Sequence, residues 1–265
     1  MPKLLFASFT KTVIRGLGKI TRTLWRDLAR STTILTAIFF ARAFYYCRLR
    51  GNLKTMDAEN AFAVTVKHNL RMLWKKLNRM NLLISPLSVL EQVDKNSRIL
   101  VIGPRNEWDL FLLHQAGFEF DRCMGLDLIS YSTKVVLGDM HSIPFSDGEF
   151  DVVLCGWTIS YSAQPWLACD EIARVCKPRG TIGVSVEYFV GDESEERKAT
   201  GGYVIQDSRL EKRVNSSAQI LAMFPRHGKV FFDHDAPLKR TVPPHQLPSN
   251  CAVIFQNASG GAAGV

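Results

Sequence analysis

The chain has no Cys-x-x-Cys pair, no uninterrupted apolar stretch of twenty residues, no phosphate-binding glycine loop and almost no acid near its start. Each gap excludes something. Its six cysteines (Cys47, Cys123, Cys155, Cys169, Cys176, Cys251) are scattered singly, several in apolar runs, so they read as small core residues of a reduced, intracellular protein. The apolar run Thr33 to Cys47 is interrupted by Arg42 and falls short of the about 20 residues that a membrane-spanning helix needs. Asp27 is the only acid among the first thirty residues, and Lys and Arg run through them without the cleavage pattern of a secretory leader. No zinc spacing and no Ser-His-Asp arrangement is visible. His227, Asp233, His234 and Asp235 fall on a predicted strand whose alternation parts Asp233 and Asp235 from His234, so no metal site is expected.

What is present is unevenly charged. Residues 1–80 hold 16 Lys and Arg against 3 Asp and Glu, and the remainder 17 against 22. The net charge of +8 therefore belongs to the N-terminal third, and the mildly acidic remainder argues against a nucleic-acid clamp. Phe6, Phe9, Val13, Leu17, Ile20, Leu24 and Leu28 recur at helical spacing opposite Lys11, Arg15, Lys19, Arg22, Arg26 and Arg30. A further basic helix is predicted over about 61–80, with Phe62, Val66, Leu70, Leu73, Trp74 and Leu77 on one face. Three readings stand for residues 1 to about 60: a peripheral anchor on an anionic membrane surface, a cleaved organelle transit peptide, and a helical subdomain packed on the rest.

From about Ser97 the pattern changes to short β-branched runs separated by helical segments, which means an α/β domain. Strands are predicted at 98–103, 122–126, 135–139, 150–156, 181–188, 229–235 and 251–257, with helices at 107–117, 164–176 and 216–224. Only Leu128 to Lys134 separates the second and third strands, too short for an ordinary parallel crossover. In such a sheet ligands sit beyond the carboxyl ends of the strands, where Gly156-Trp157 and Glu187-Tyr188 would face a site.

Gly138-Asp139-Met140-His141, the strand Phe150 to Trp157 and the run Glu171 to Gly180 together resemble a class I S-adenosylmethionine-dependent methyltransferase of type 11. The resemblance implies a Rossmann-like, seven-stranded, mostly parallel sheet with helices on both faces over residues 96–258. A basic helical extension (1–95) would precede it and a fraying tail (259–265) would follow. S-adenosylmethionine is the cofactor it implies. Asp127 matches the acid that holds the ribose, Asp139 the one at the adenine amino group, and Met140 the neighbour packed on the ring. The first loop departs from the family: Gly103 is kept, but Val101 replaces the preceding acid, and Arg105 and Glu107 replace two glycines. Arg105 would then pair with the methionine carboxylate and Glu107 with its ammonium. Trp157 would wall the sulfonium, with core packing as its plain alternative. Tyr161 or His141 would orient or deprotonate an acceptor hydroxyl.

The function expected is methyl transfer to a small or lipid-linked acceptor, cytoplasmic and in one form peripheral to a membrane. The alternative is a non-catalytic methyltransferase-like module tethered through its basic helices.

Overall fold

The computed structural model describes residues 28, 30–56, 63–162, 164–188, 214–235 and 249–258. The predicted helix over residues 6–28, the charged stretch 190–213, the proline-rich link 237–248 and the tail therefore lie almost wholly outside the described residues. Seven strands form one sheet: β1 Ile99–Ile102, β2 Cys123–Asp127, β3 Val135–Leu137, β4 Phe150–Gly156, β5 Cys176–Tyr188, β6 His227–His234 and β7 Ser249–Asn257. Their spatial order is β3-β2-β1-β4-β5-β7-β6, with β1 to β5 parallel and β7 antiparallel to both of its neighbours. The fold is the Rossmann-like sheet expected from the sequence.

The helices are α1 Thr32–Phe44, α2 Ala63–Met72, α3 Asn81–Leu87, α4 Trp108–Gln115, α5 Pro165–Val175 and α6 Ser217–Ala222. The side chain of Ser31 caps α1 and that of Ser216 caps α6, each accepting the backbone N–H of the residue three positions on. The faces of the sheet carry separate cores. On one, α5 and α6 cover Leu100, Val153, Ile182, Val184 and Phe255. On the other, α1, α3 and α4 cover Ile99, Val101, Val152, Leu154 and Ile254.

Leu35, Phe39 and Ala43 recur every fourth residue along α1 and are buried. Phe39 meets Trp108 and Phe111 of α4 edge-on, at ring-centroid separations of 5.7 and 6.5 Å. A single turn of π-helix, Tyr45–Leu49, ends this segment. The basic helix predicted over 61–80 stops at Met72, because the carbonyls of Leu73 and Lys75 turn to the side-chain amide of Asn106, at 2.8 and 3.0 Å. β5 begins earlier than predicted, at Cys176, despite Pro178.

The short link between β2 and β3 has a simple structure. Ile129–Ser130 pairs antiparallel with Lys54–Thr55, so a two-residue ladder stands where a crossover helix would be. Ile129 and Tyr131 turn inward to a small core with Ala43, Val66 and Leu73.

Candidate active site

A cavity of about 290 Å³ opens at the carboxyl ends of β1 to β4, under α2. Gly103, Arg105, Asp127, Asp139, Met140, His141 and Tyr161, all singled out from sequence, line it. Thr65, His68 and Asn69 of α2 and Arg79 of the following loop complete the wall, and the sequence did not point to them. One signal was available: Asn69 is a buried polar residue on the apolar face that also carries Val66.

The first loop keeps the backbone of a glycine turn with different side chains. Gly103 has φ 70° and Arg105 φ 62°, in the region that L-residues other than glycine rarely adopt. A Cβ at Gly103 would collide with the Thr158 side chain, whose hydroxyl donates to Ile102 O and Gly156 O at 3.1 and 3.2 Å. The turn at Arg105 delivers its own N–H to Asp127 Oδ2 at 2.7 Å. Its buried guanidinium faces the cavity and makes no hydrogen bond or ion pair among the described residues. Burial, and then the charge of Arg79, lower its pKa.

Asp127 is already well served. Oδ1 accepts from Asn69 Nδ2 at 2.9 Å and from Ile129 N at 3.2 Å, in addition to the Arg105 bond on Oδ2. A carboxylate offers about four lone-pair positions, so one remains while Asn69 stays in place. Burial raises the pKa of Asp127, against those backbone bonds. Arg79 donates to Gly103 O and to Asp109 at 3.3 Å, forming a buried pair behind the loop. Burial, followed by the charges of Arg105, Arg71 and Arg79, lowers His68 to about 4, so it is neutral near pH 7.

Asp139, His141 and Ser162 form a chain. His141 Nδ1 lies 2.7 Å from Asp139 Oδ1 and Nε2 lies 2.6 Å from Ser162 Oγ, which also accepts from Gln164 N at 2.9 Å. The carboxylate can only accept, so Nδ1–H donates to it, and in the neutral imidazole Nε2 then accepts from the Ser162 hydroxyl. Burial opposes ionisation of Asp139, but the His141 bonds prevail and hold its carboxyl below the ordinary range. This is a Ser-His-Asp arrangement that the sequence did not show, because its members come from the ends of two strands. It is not a nucleophile: Ser162 is 1% exposed and does not line the cavity. Both His141 nitrogens are engaged, which leaves no lone pair for an acceptor proton.

Two expected residues stand apart. Glu107 is fully buried and off the cavity; Arg42 of α1 grips it at 2.6 and 2.8 Å, and Ser132 Oγ donates to it at 2.5 Å. Its carboxylate secures the loop to α1, with no face toward a cofactor ammonium. Trp157, at φ 62°, is also outside the lining; its backbone N–H donates to Ser185 O at 2.9 Å, and its buried indole N–H has no partner among the described residues.

Residues 111–184 match the family model described as a methyltransferase domain, a span that runs from α4 into β5 and so includes Asp127, Asp139 and Tyr161. That part of the chain is therefore similar to a methyltransferase domain. Uncharacterized proteins of Mycobacterium bovis and Mycobacterium tuberculosis are 44% identical over 43 residues, 16% of this chain and 16% of each relative. The chain thus matches about a sixth of the length of those curated relatives. Among solved structures, a Haloferax volcanii protein in complex with the methyltransferase activator Trm112 is 16% identical, with a TM-score of 0.49 over 76% of this chain and 97% of that one. A S-adenosylmethionine-dependent methyltransferase of Thermotoga maritima is 16% identical, with a TM-score of 0.45 over 74% and 98%. At such identities these likenesses concern the fold alone.

Proposed function

We propose that the protein is a S-adenosylmethionine-dependent methyltransferase. The observation that carries this is Arg105: a buried guanidinium, without a partner among the described residues, in a cavity that also presents two strand-end carboxylates, Asp127 and Asp139. Arg105 suits the methionine carboxylate, Asp127 the ribose diol, and Asp139 with Met140 the adenine edge. The cavity is at the small end of the range of about 300–1,000 Å³ common for ligand pockets. When bound, the cofactor supplies an electrophilic methyl group on a sulfonium. The chain's own part is to orient the ligand and exclude water, which suffices for an in-line displacement with a good leaving group.

The acceptor is small or lipid-linked, and the protein works at an anionic membrane surface. Supporting this finer reading, α1 and its final turn expose Ile38, Phe40, Phe44, Tyr45 and Leu49 beside Arg48 and Arg50. No helix among the described residues is long and apolar enough to cross a membrane. A second reading, a non-catalytic module, draws on the occupied state of Asp127, whose carboxylate already holds three protein donors.

Calorimetric titration with S-adenosylhomocysteine separates these. Binding is expected to weaken about tenfold or more in Asp127→Ala and in Arg105→Ala, each losing hydrogen bonds to a charged group worth about 1.5–3 kcal/mol. Absence of binding to the unaltered protein at millimolar ligand would leave the non-catalytic reading.

A further inference from the structure

Beyond the cavity wall lies a second set of buried polar atoms that have no hydrogen-bond partner among the described residues. At the carboxyl end of β5, Glu187 is 6% exposed. Its Oε1 accepts from the Tyr161 hydroxyl at 3.2 Å, while Oε2 is buried without a partner. Asn250, directly opposite on β7, keeps a buried Oδ1 without a partner as well. Directly opposed residues of an antiparallel ladder project to one face. Ser185, two residues earlier on that face of β5, and Ser160, beside Tyr161, add two unpartnered hydroxyls. Native proteins leave few buried polar atoms unpaired, and such a concentration at strand ends calls for a function. Tyr161 is the link, since it lines the cavity and touches Glu187.

We propose that Glu187 is the proton acceptor of the site, reached from the cavity through the Tyr161 hydroxyl. This rests on the methyltransferase reading. As an acceptor heteroatom is methylated, the methyl carbon's bond to sulfur breaks, its bond to the heteroatom forms, and the heteroatom–hydrogen bond breaks. That proton goes to the Tyr161 oxygen while the phenolic proton goes to Glu187 Oε1. One positive charge leaves the sulfur and one negative charge leaves the carboxylate, so no oxidant or reductant is needed. The acceptor class follows: one whose reacting atom carries both a lone pair and a removable proton, such as a hydroxyl, a thiol or a neutral amine.

The charges around Glu187 fit this use. Burial pushes its carboxyl up to about 7, while the Tyr161 bond and the charges of Arg79, before α3, and Arg105, after β1, pull it down. Asn250 and Ser185 on its own sheet face are uncharged, and Asp109 of α4 is paired with Arg79. Near pH 7 the carboxyl is therefore shared between its two forms, and a cation arriving in the cavity drives off the proton. The sulfonium of the true cofactor is such a cation; the neutral sulfur of S-adenosylhomocysteine is not.

Calorimetry in buffers of different ionisation enthalpy counts protons released on binding. At pH 7 S-adenosylmethionine is expected to release up to about half a proton and S-adenosylhomocysteine much less. Glu187→Gln should bind both ligands and lose the difference. Tyr161→Phe, which removes a bond favouring the carboxylate, should move the pH of greatest release upward. Equal release with the two ligands, or a difference that persists in Glu187→Gln, would overturn the assignment. Failure of the unaltered protein to bind either ligand would instead bring down the methyltransferase reading, and this proposal with it.

Discussion

Glu187 has a thermodynamic signature independent of any ligand. Its ordinary value is 4.5, and burial raises it to about 7 in the fold. Below pH 4.5 the carboxyl is protonated in both folded and unfolded chains and costs nothing. As pH rises from 4.5 to about 7 the unfolded chain ionises first, so stability falls across that window and levels off above it. The gap corresponds to roughly 3 kcal/mol as an order of magnitude. Glu187→Gln should accordingly gain stability over the unaltered protein between pH 5 and pH 8 in urea denaturation. A pH-independent difference would show that this carboxyl keeps its ordinary value. Arg105 illustrates what sequence can and cannot tell at this scale. Its place in a degenerate turn was legible, but its φ of 62° was not, because the substitution of a glycine does not say whether the backbone follows. The same limit applied to Glu107, whose partner Arg42 lies 65 residues away.

Among the elements, the strands β1 to β4 were legible to within two residues at either end, since β-branched runs bounded by Gly, Asp and Pro leave little choice of period. The N-terminal helices were not. Periodicity located α2, whereas α1 was visible only as the apolar run Thr33 to Cys47, and neither pattern says which neighbour its faces meet; α2 brings Asn69 onto Asp127. If Asp127 holds a ribose diol as proposed, the Asn69 and Ile129 bonds fill Oδ1 and leave only one position, on Oδ2, for two hydroxyls. Asn69→Ala should therefore tighten S-adenosylhomocysteine by about three- to tenfold, the worth of one neutral hydrogen bond; weakening would mean that Asn69 helps to hold the ligand. On α1 the outward stripe is separable from the buried one. Ile38→Glu combined with Phe44→Glu changes residues 40% and 53% exposed and spares Leu35, Phe39 and Ala43. The pair should cut sedimentation with anionic liposomes without lowering the melting temperature by more than a few degrees. Unchanged sedimentation would show that α1 makes no contact with the liposomes.

At the scale of the molecule, α1, α3, α4 and the sheet share one core, and the candidate site depends on that continuity. The Arg42–Glu107 pair is its polar counterpart. Arg42 is held over the rings of Tyr46 and Phe120, at 5.3 and 5.8 Å, and its bond to Glu107 raises its pKa despite partial burial. Glu107 also receives the Ser132 hydroxyl, and its own N–H donates to the Tyr131 hydroxyl at 3.1 Å. One carboxylate thus joins α1, the loop after β1 and the link after β2. Removing Arg42 strands a carboxylate whose side chain is 0% exposed. Breaking such a pair from one side costs about 3–5 kcal/mol, and the lower end applies because the Arg42 side chain is 29% exposed. Arg42→Ala should therefore lower stability by roughly 3 kcal/mol. Adding Glu107→Gln should restore part of the loss, because a neutral amide tolerates burial where an orphaned carboxylate does not. If denaturation instead shows two transitions in Arg42→Ala, the α1 segment unfolds apart from the sheet. If the second substitution restores nothing, the destabilisation comes from lost packing on Tyr46 and Phe120 and not from the stranded charge.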